Sequence, residues 1–173
     1  MYKYLFLLCF SFISLFGSKI TSNHIPEELV TAIMMNECLI EGEYCNPYII
    51  GLNRKKDIKK AKKNGFNVKK RRIIYCYNEN TCVDYVKNLN KIGINNLDLG
   101  PFQINTKYHK LSSLYDYFNY EKSRNSVKKI LATLINRHGY SWYTIGRYHS
   151  GTKKLNQKYC SKLFKTMKKI RDN

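Results

Sequence analysis

One carboxylate breaks the hydropathy pattern of the segment that carries it. Leu29, Ile33 and Glu37 follow at steps of four, with Val30, Ala32 and Met34 beside them. A helix through this stretch therefore puts Glu37 on its apolar stripe. Desolvation on such a stripe raises the pKa of a carboxyl group, because the ionised form loses most hydration. An acid that keeps its proton near neutral pH can protonate a leaving oxygen. The plainer alternative leaves Glu37 at its helix end, with the side chain reaching water or a lysine.

Two further segments carry polar groups suited to a binding groove. In Asp98-Leu99-Gly100-Pro101-Phe102-Gln103-Ile104-Asn105, glycine and proline make a tight turn, and the amides of Gln103 and Asn105 flank apolar Ile104. Such amides donate and accept, which matches sugar hydroxyls and acetamido groups. The alternative is a turn whose Gln103 satisfies backbone groups; Asp98, ahead of Gly100, reads as a turn former. Ile145-Gly146-Arg147-Tyr148-His149-Ser150-Gly151 sets a tyrosine and small residues at a helix end. Core packing with a glycine stop would use the same residues.

The elements that must bring these segments together are mostly helical. Pro26 followed by Glu27 and Glu28 is a helix start, since proline there loses no needed donor and acids suit the dipole. A short basic helix over Lys59 to Lys63 stops near Asn64-Gly65. Val83, Val86 and Leu89 mark another, ended by Gly93. The clearest stripe is Val127, Ile130, Leu131, Leu134 and Ile135, predicting a helix over Ser126 to His138 with Gly139 as its stop. Trp142 and Ile145 indicate a short helix; Tyr159, Leu163, Phe164, Met167 and Ile170 indicate the last. Phe66 to Tyr77, with Ile73-Ile74-Tyr75 at its centre, reads as a small hairpin or extended loop. The expected class is mainly α (α+β), with a minor β element.

At 173 residues, no repeat or linker divides positions 19–173, so one domain is expected there. A composition 43% hydrophobic supports a core despite a net charge of +19. Nine glycines and three prolines exclude collagen-like and low-complexity classes. The single long apolar stretch, residues 1–18, has Lys3 near its start and Gly17-Ser18 at its end, as a secretory signal peptide does. An uncleaved N-terminal anchor is the alternative. Export places Cys38, Cys45, Cys76, Cys82 and Cys160 where disulfides persist. Their spacings fit no four-ligand zinc site, and the economical pairing is Cys38 with Cys45 and Cys76 with Cys82, leaving Cys160 odd. Lysine and arginine concentrate between Arg54 and Arg72. That run reads either as a solvated basic face or as a surface attracted to cell-wall polyanions.

Together, and in this order, the three segments resemble the motifs of the lysozyme-like lytic transglycosylases, especially the small exported type that accompanies secretion and conjugation machines. The first motif is a helix ending in glutamate, here Ala32 to Glu37, followed by Asn46-Pro47-Tyr48-Ile49-Ile50-Gly51-Leu52-Asn53. The second, Asp-x-Gly-x-x-Gln-Ile-Asn, runs intact from Asp98 to Asn105, and the third covers Trp142 to Gly151. The resemblance spans residues 25–165.

It implies a lysozyme-like helical domain in which Glu37 is the single catalytic acid/base. Gln103, Asn105 and Phe102 would belong to substrate binding, and Tyr148 would reach the reacting sugar or the glutamate. The implied reaction cleaves the β-1,4 bond between N-acetylmuramic acid and N-acetylglucosamine in peptidoglycan and closes a 1,6-anhydro ring. No metal or organic cofactor is implied. The implied partners are glycan strands and an envelope-spanning assembly, with a monomeric enzyme in the periplasm and no nucleic acid. Three departures stand out: Cys38 replaces the serine that usually follows the glutamate, the loop from Cys38 to Cys45 is long, and His149 replaces an asparagine. No catalytic part is expected of His149. Two alternatives remain, a hydrolytic muramidase in which Asp98 or Glu43 places a water, and a non-catalytic cationic wall-binding module.

Overall fold

A computed structural model describes residues 19–38 and 45–172. The expected signal segment and Glu43 lie outside the described residues. Among those described, the chain forms seven α-helices and a four-stranded antiparallel sheet, the mainly α class expected. No helix among them is long and apolar enough to cross a membrane.

The first helix, α1 (Glu27–Cys38), starts behind Pro26 as its residues require. It buries Leu29, Val30, Ala32 and Ile33 almost completely and packs against the last helix, α7 (Lys153–Asp172), and the long α5 (Tyr120–His138). α5 begins six residues before the predicted Ser126, because Asn119 accepts a hydrogen bond from the Lys122 N–H as its N-cap. On α7, Tyr159, Leu163 and Met167 are buried, whereas Phe164 is exposed and packs edge-to-face with Trp142. Between them lie α2 (Lys55–Lys63), α3 (Glu79–Lys91), α4 (Leu114–Phe118) and α6 (Trp142–Gly146). The lysines of α2 are all exposed, and only Arg71 and Arg72 of the basic run line the main cleft.

Of the two readings of residues 66–77, hairpin or extended loop, the sheet bears out an extended stretch at Ile73-Ile74-Tyr75. Its strands are β1 (Ile49–Leu52), β2 (Ile73–Tyr75), β3 (Leu97–Leu99) and β4 (Ile104–Asn105), in the order β2-β1-β3-β4. β2 therefore pairs with β1 rather than folding back within residues 66–77. Side chains alternate across a sheet, so each cross-strand row faces one side. Ile74, Ile50, Leu99 and Ile104 form one row, buried in the core. The neighbouring row is Ile73, Gly51, Asp98 and Asn105, and it faces the other way.

Both predicted disulfides are present, Cys38–Cys45 and Cys76–Cys82, and Cys160 is free. Such bonds fit an oxidising compartment reached by export. Buried Cys38 packs with Ile49 and Ile73, which seats the end of α1 on the polar row's side of the sheet.

Candidate active site

A cleft of about 1200 Å³ opens between this face of the sheet, the end of α1, and the loop joining α6 to α7. Glu37 stands at its wall with its side chain only 13% exposed, because it continues the stripe of Leu29 and Ile33 by one turn. α7 anchors the end of that helix. Lys162 donates to the Asn36 carbonyl at 3.1 Å, and Thr166 donates to the Asn36 side chain at 3.1 Å. A cation on a free carbonyl suits the negative end of a helix dipole. α1 has no basic residue in its own last turn, so Lys162 supplies that charge from outside.

His149 covers Glu37. Its Nδ1 lies 3.2 Å from Glu37 Oε1, and its ring stacks on Tyr159 with centroids 4.6 Å apart and planes 5° from parallel. Asn156, wholly buried on α7, holds the loop carrying His149 by donating to the Tyr143 and Ser150 carbonyls. The hydrogen bond to Glu37 raises the His149 pKa, against the opposing effect of burial. The Tyr159 hydroxyl is buried beside Glu37 without a hydrogen bond of regular geometry. Burial first, and then the glutamate's charge, push its pKa well up, so it stays a neutral phenol.

Asp98 is not a turn former. It sits mid-strand in β3, on the polar row, and lines the cleft with Glu37. Asn105 donates to Asp98 Oδ1 at 2.7 Å and to the Asn96 side-chain oxygen at 2.9 Å, and the Asn53 amide, which donates to Asn96 at 3.4 Å, lies close enough to favour the Asp98 carboxylate. Burial raises the Asp98 pKa to about 6; the amide hydrogen bonds hold it back, and the nearby Glu37 charge adds to the rise. Glu37, Asp98 and His149 thus feel one another across a single cleft, the arrangement proton transfer needs. Among the described residues, no group of three His, Cys, Asp or Glu side chains converges as a metal site requires.

The turn from β3 to β4 explains the position of Gln103. Gly100 takes a φ of 72°, and a Cβ there would lie 1.9 Å from the Tyr117 carbonyl oxygen. Gln103 itself has a φ of 48°, a left-handed conformation costly outside glycine. Its Nε2 donates to the Gly100 carbonyl at 2.8 Å, while its Oε1 rests over Gly51, where a Cβ would come within 2.6 Å. Tyr148 closes the other side, and its hydroxyl donates to the Phe102 carbonyl at 2.7 Å.

Of the residues expected at the site, Glu37, Gln103, Asn105 and Tyr148 line this cleft together. Asn105 spends its amide on Asp98 and Asn96, so it positions a carboxylate instead of facing solvent freely. Phe102 is a correction: its side chain is fully buried in the core, because the glycine-proline turn points it inward, and only its carbonyl serves the site. His149, Tyr159 and Gly51 were missed as site residues, and Asp98 was named only for the hydrolytic alternative and otherwise read as a turn former. The alternation Leu97-Asp98-Leu99 carried the signal for Asp98, since a strand there opposes the aspartate to its two buried neighbours. No family model, curated protein or solved structure matches the chain. The side chains of the cleft are then the ground on which a function can be read.

Proposed function

We propose that the protein is a peptidoglycan lytic transglycosylase of the exported, lysozyme-like type, acting in the periplasm. The observation that carries this reading is a covered carboxyl, Glu37, on the wall of a large cleft also lined by Gln103 and Tyr148. In the proposed reaction, Glu37 in the form that carries the proton of the Glu37–His149 pair, with His149 neutral, gives it to the glycosidic oxygen linking N-acetylmuramic acid to N-acetylglucosamine. Positive charge develops at the anomeric carbon as that bond breaks. The Glu37 carboxylate then takes the proton of the C6 hydroxyl on the same sugar, whose oxygen closes the 1,6-anhydro ring. One carboxyl group serves both steps, in contrast to the paired carboxylates of ordinary glycosidases. His149, bonded to Oε1, leaves Oε2 for the substrate and fixes the carboxyl plane. The phenol of Tyr148 borders the reacting sugar. By resemblance, a monomer would open the wall locally for an envelope-spanning assembly.

One observation favours a second reading. Asp98 shares the cleft with Glu37 and is held by Asn105, as a carboxylate placing a water would be. That enzyme would be a hydrolytic muramidase. Mass spectrometry of muropeptides released from purified sacculi separates the two. Anhydro-muramyl ends support the transglycosylase; reducing muramic ends, lost in Asp98→Asn, replace it with the hydrolase.

A further inference from the structure

A second cavity, of about 730 Å³, lies beside the cleft and shares Tyr108, His109, Leu134 and Arg137 with it. One wall is α5. Its buried stripe of Val127, Leu131 and Ile135 faces the core, and the adjoining face presents Lys122, Ser126, Lys129 and Thr133 to the cavity. The same face reaches Arg137 toward the end of the helix, where the second cavity adjoins the cleft.

The charge of this cavity is one-sided. Lys110, Lys122, Lys129 and Arg137 line the second cavity against a single acid, Asp116. Asp116 is already paired with Lys122 at 2.8 Å. Lys110, Lys129 and Arg137 form no ion pair with any acid among the described residues. These side chains are exposed, and uncompensated cations gathered along one concave surface attract anions more strongly than the same charges scattered over the protein. Lys129 and Arg137 are eight residues apart, about 12 Å along the helix axis. Cations that far apart suit several separated carboxylates better than one compact phosphate. Asn125, Ser126 and Thr133 add donors and acceptors for amides, and Leu111 and Ile130 add apolar wall for small alkyl side chains.

We propose that this cavity is a subsite for the carboxylate-bearing peptide stem attached to the glycan strand in the cleft. The proposal rests on the transglycosylase reading for the identity of the strand, and it assigns the peptide branch to Lys110, Lys129 and Arg137. A stem hangs from the muramic sugar whose bond is cut, so a pocket adjoining the cleft selects strands that still carry peptide.

The test uses the full chain, a Lys110→Gln/Lys129→Gln double variant and a Lys110→Arg/Lys129→Arg control. A soluble tetrapeptide stem with free carboxylates is titrated by NMR beside its carboxamide analogue and inorganic phosphate. The expected result is saturable binding of the free acid, with shifts at residues 110, 126 and 129, weakened in the Gln variant and kept in the Arg control. On glycan strands, the Gln variant is expected to raise KM about tenfold for stem-bearing substrate, as two partly exposed ionic contacts would, and to leave amidase-stripped strands unaffected. Absent binding, shifts confined to other residues, equal binding of the carboxamide, or tighter binding of phosphate overturns the subsite. Peptide binding at these residues without cleavage of either strand supports the subsite and removes the enzyme reading instead.

Discussion

Replacing Gly51 with alanine should separate stability from activity. Gly51 lies mid-strand in β1, outside the left-handed region, so an alanine fits its backbone without strain. Removing a strand-interior glycine favours the folded state by about 0.5–1 kcal/mol. Against that, the new Cβ would stand 2.6 Å from Gln103 Oε1 and 3.2 Å from Asp98 Cβ. The glutamine tip is the mobile partner, and swinging it away breaks its 2.8 Å bond to the Gly100 carbonyl, a loss of about 0.5–1.5 kcal/mol. The two effects nearly cancel, leaving global stability within about 1 kcal/mol of wild type by the same two ranges. Catalysis does not share in the cancellation, because a displacement near 1 Å of a positioning group costs on the order of 100-fold in rate. Thermal denaturation and muropeptide release from sacculi, measured on the same preparations, read both effects. Wild-type activity, or a stability loss beyond about 3 kcal/mol, the top of the usual overpacking range, would refute the role given to Gln103 over Gly51. Gly100→Ala is the contrasting control: its Cβ would meet backbone, the Tyr117 carbonyl at 1.9 Å, at a φ of 72°, so it should fail to fold normally.

Two further perturbations test the charges around Glu37. His149 has a raised pKa because of Glu37, so its pairing stabilises the fold below about pH 6.5 and fades as pH climbs through the raised value. With the His149 side chain 44% exposed, His149→Gln should cost only about 0.5 kcal/mol at pH 6 and nothing at pH 9, while altering the pH profile of cleavage; an unchanged profile would deny it a positioning role. Asp98 binds its proton more tightly folded, at about 6, than its ordinary 3.8. Its burial therefore lowers stability as pH rises from 4 to 6, by at most about 3 kcal/mol at 1.36 kcal/mol per unit. Asp98→Asn should flatten that fall in denaturant titrations, and a persisting fall would place its origin elsewhere.

The long apolar stripes were legible in sequence because each repeats often enough to fix a helix: Pro26 through Ile33 set α1, and Val127 through Ile135 set α5. Glu37 was legible for the same reason, as an exception to a regular pattern. The sheet was not. Strands of two to four residues carry too little alternation to announce themselves, and the row that builds the site draws Ile73, Gly51, Asp98 and Asn105 from four separate segments. Asp98 was misread because Gly100 follows it, and turn chemistry masked strand alternation. Tyr159 hid inside an apolar stripe, where a buried aromatic needs no functional explanation. His149 shows its part only once α6 and α7 fold its loop back over α1. α4 is five residues long, and its Ser113–Asp116 capping box was the sole local sign of it.

The most direct trial of the central claim is muropeptide release from purified sacculi by Glu37→Gln beside wild type. The substitution keeps size and hydrogen bonding but cannot carry the proton. Anhydro-muramyl products are expected from the wild type and none above background from the variant, whose thermal unfolding and sacculus binding stay close to wild type. Undiminished release by a folded Glu37→Gln protein would contradict it.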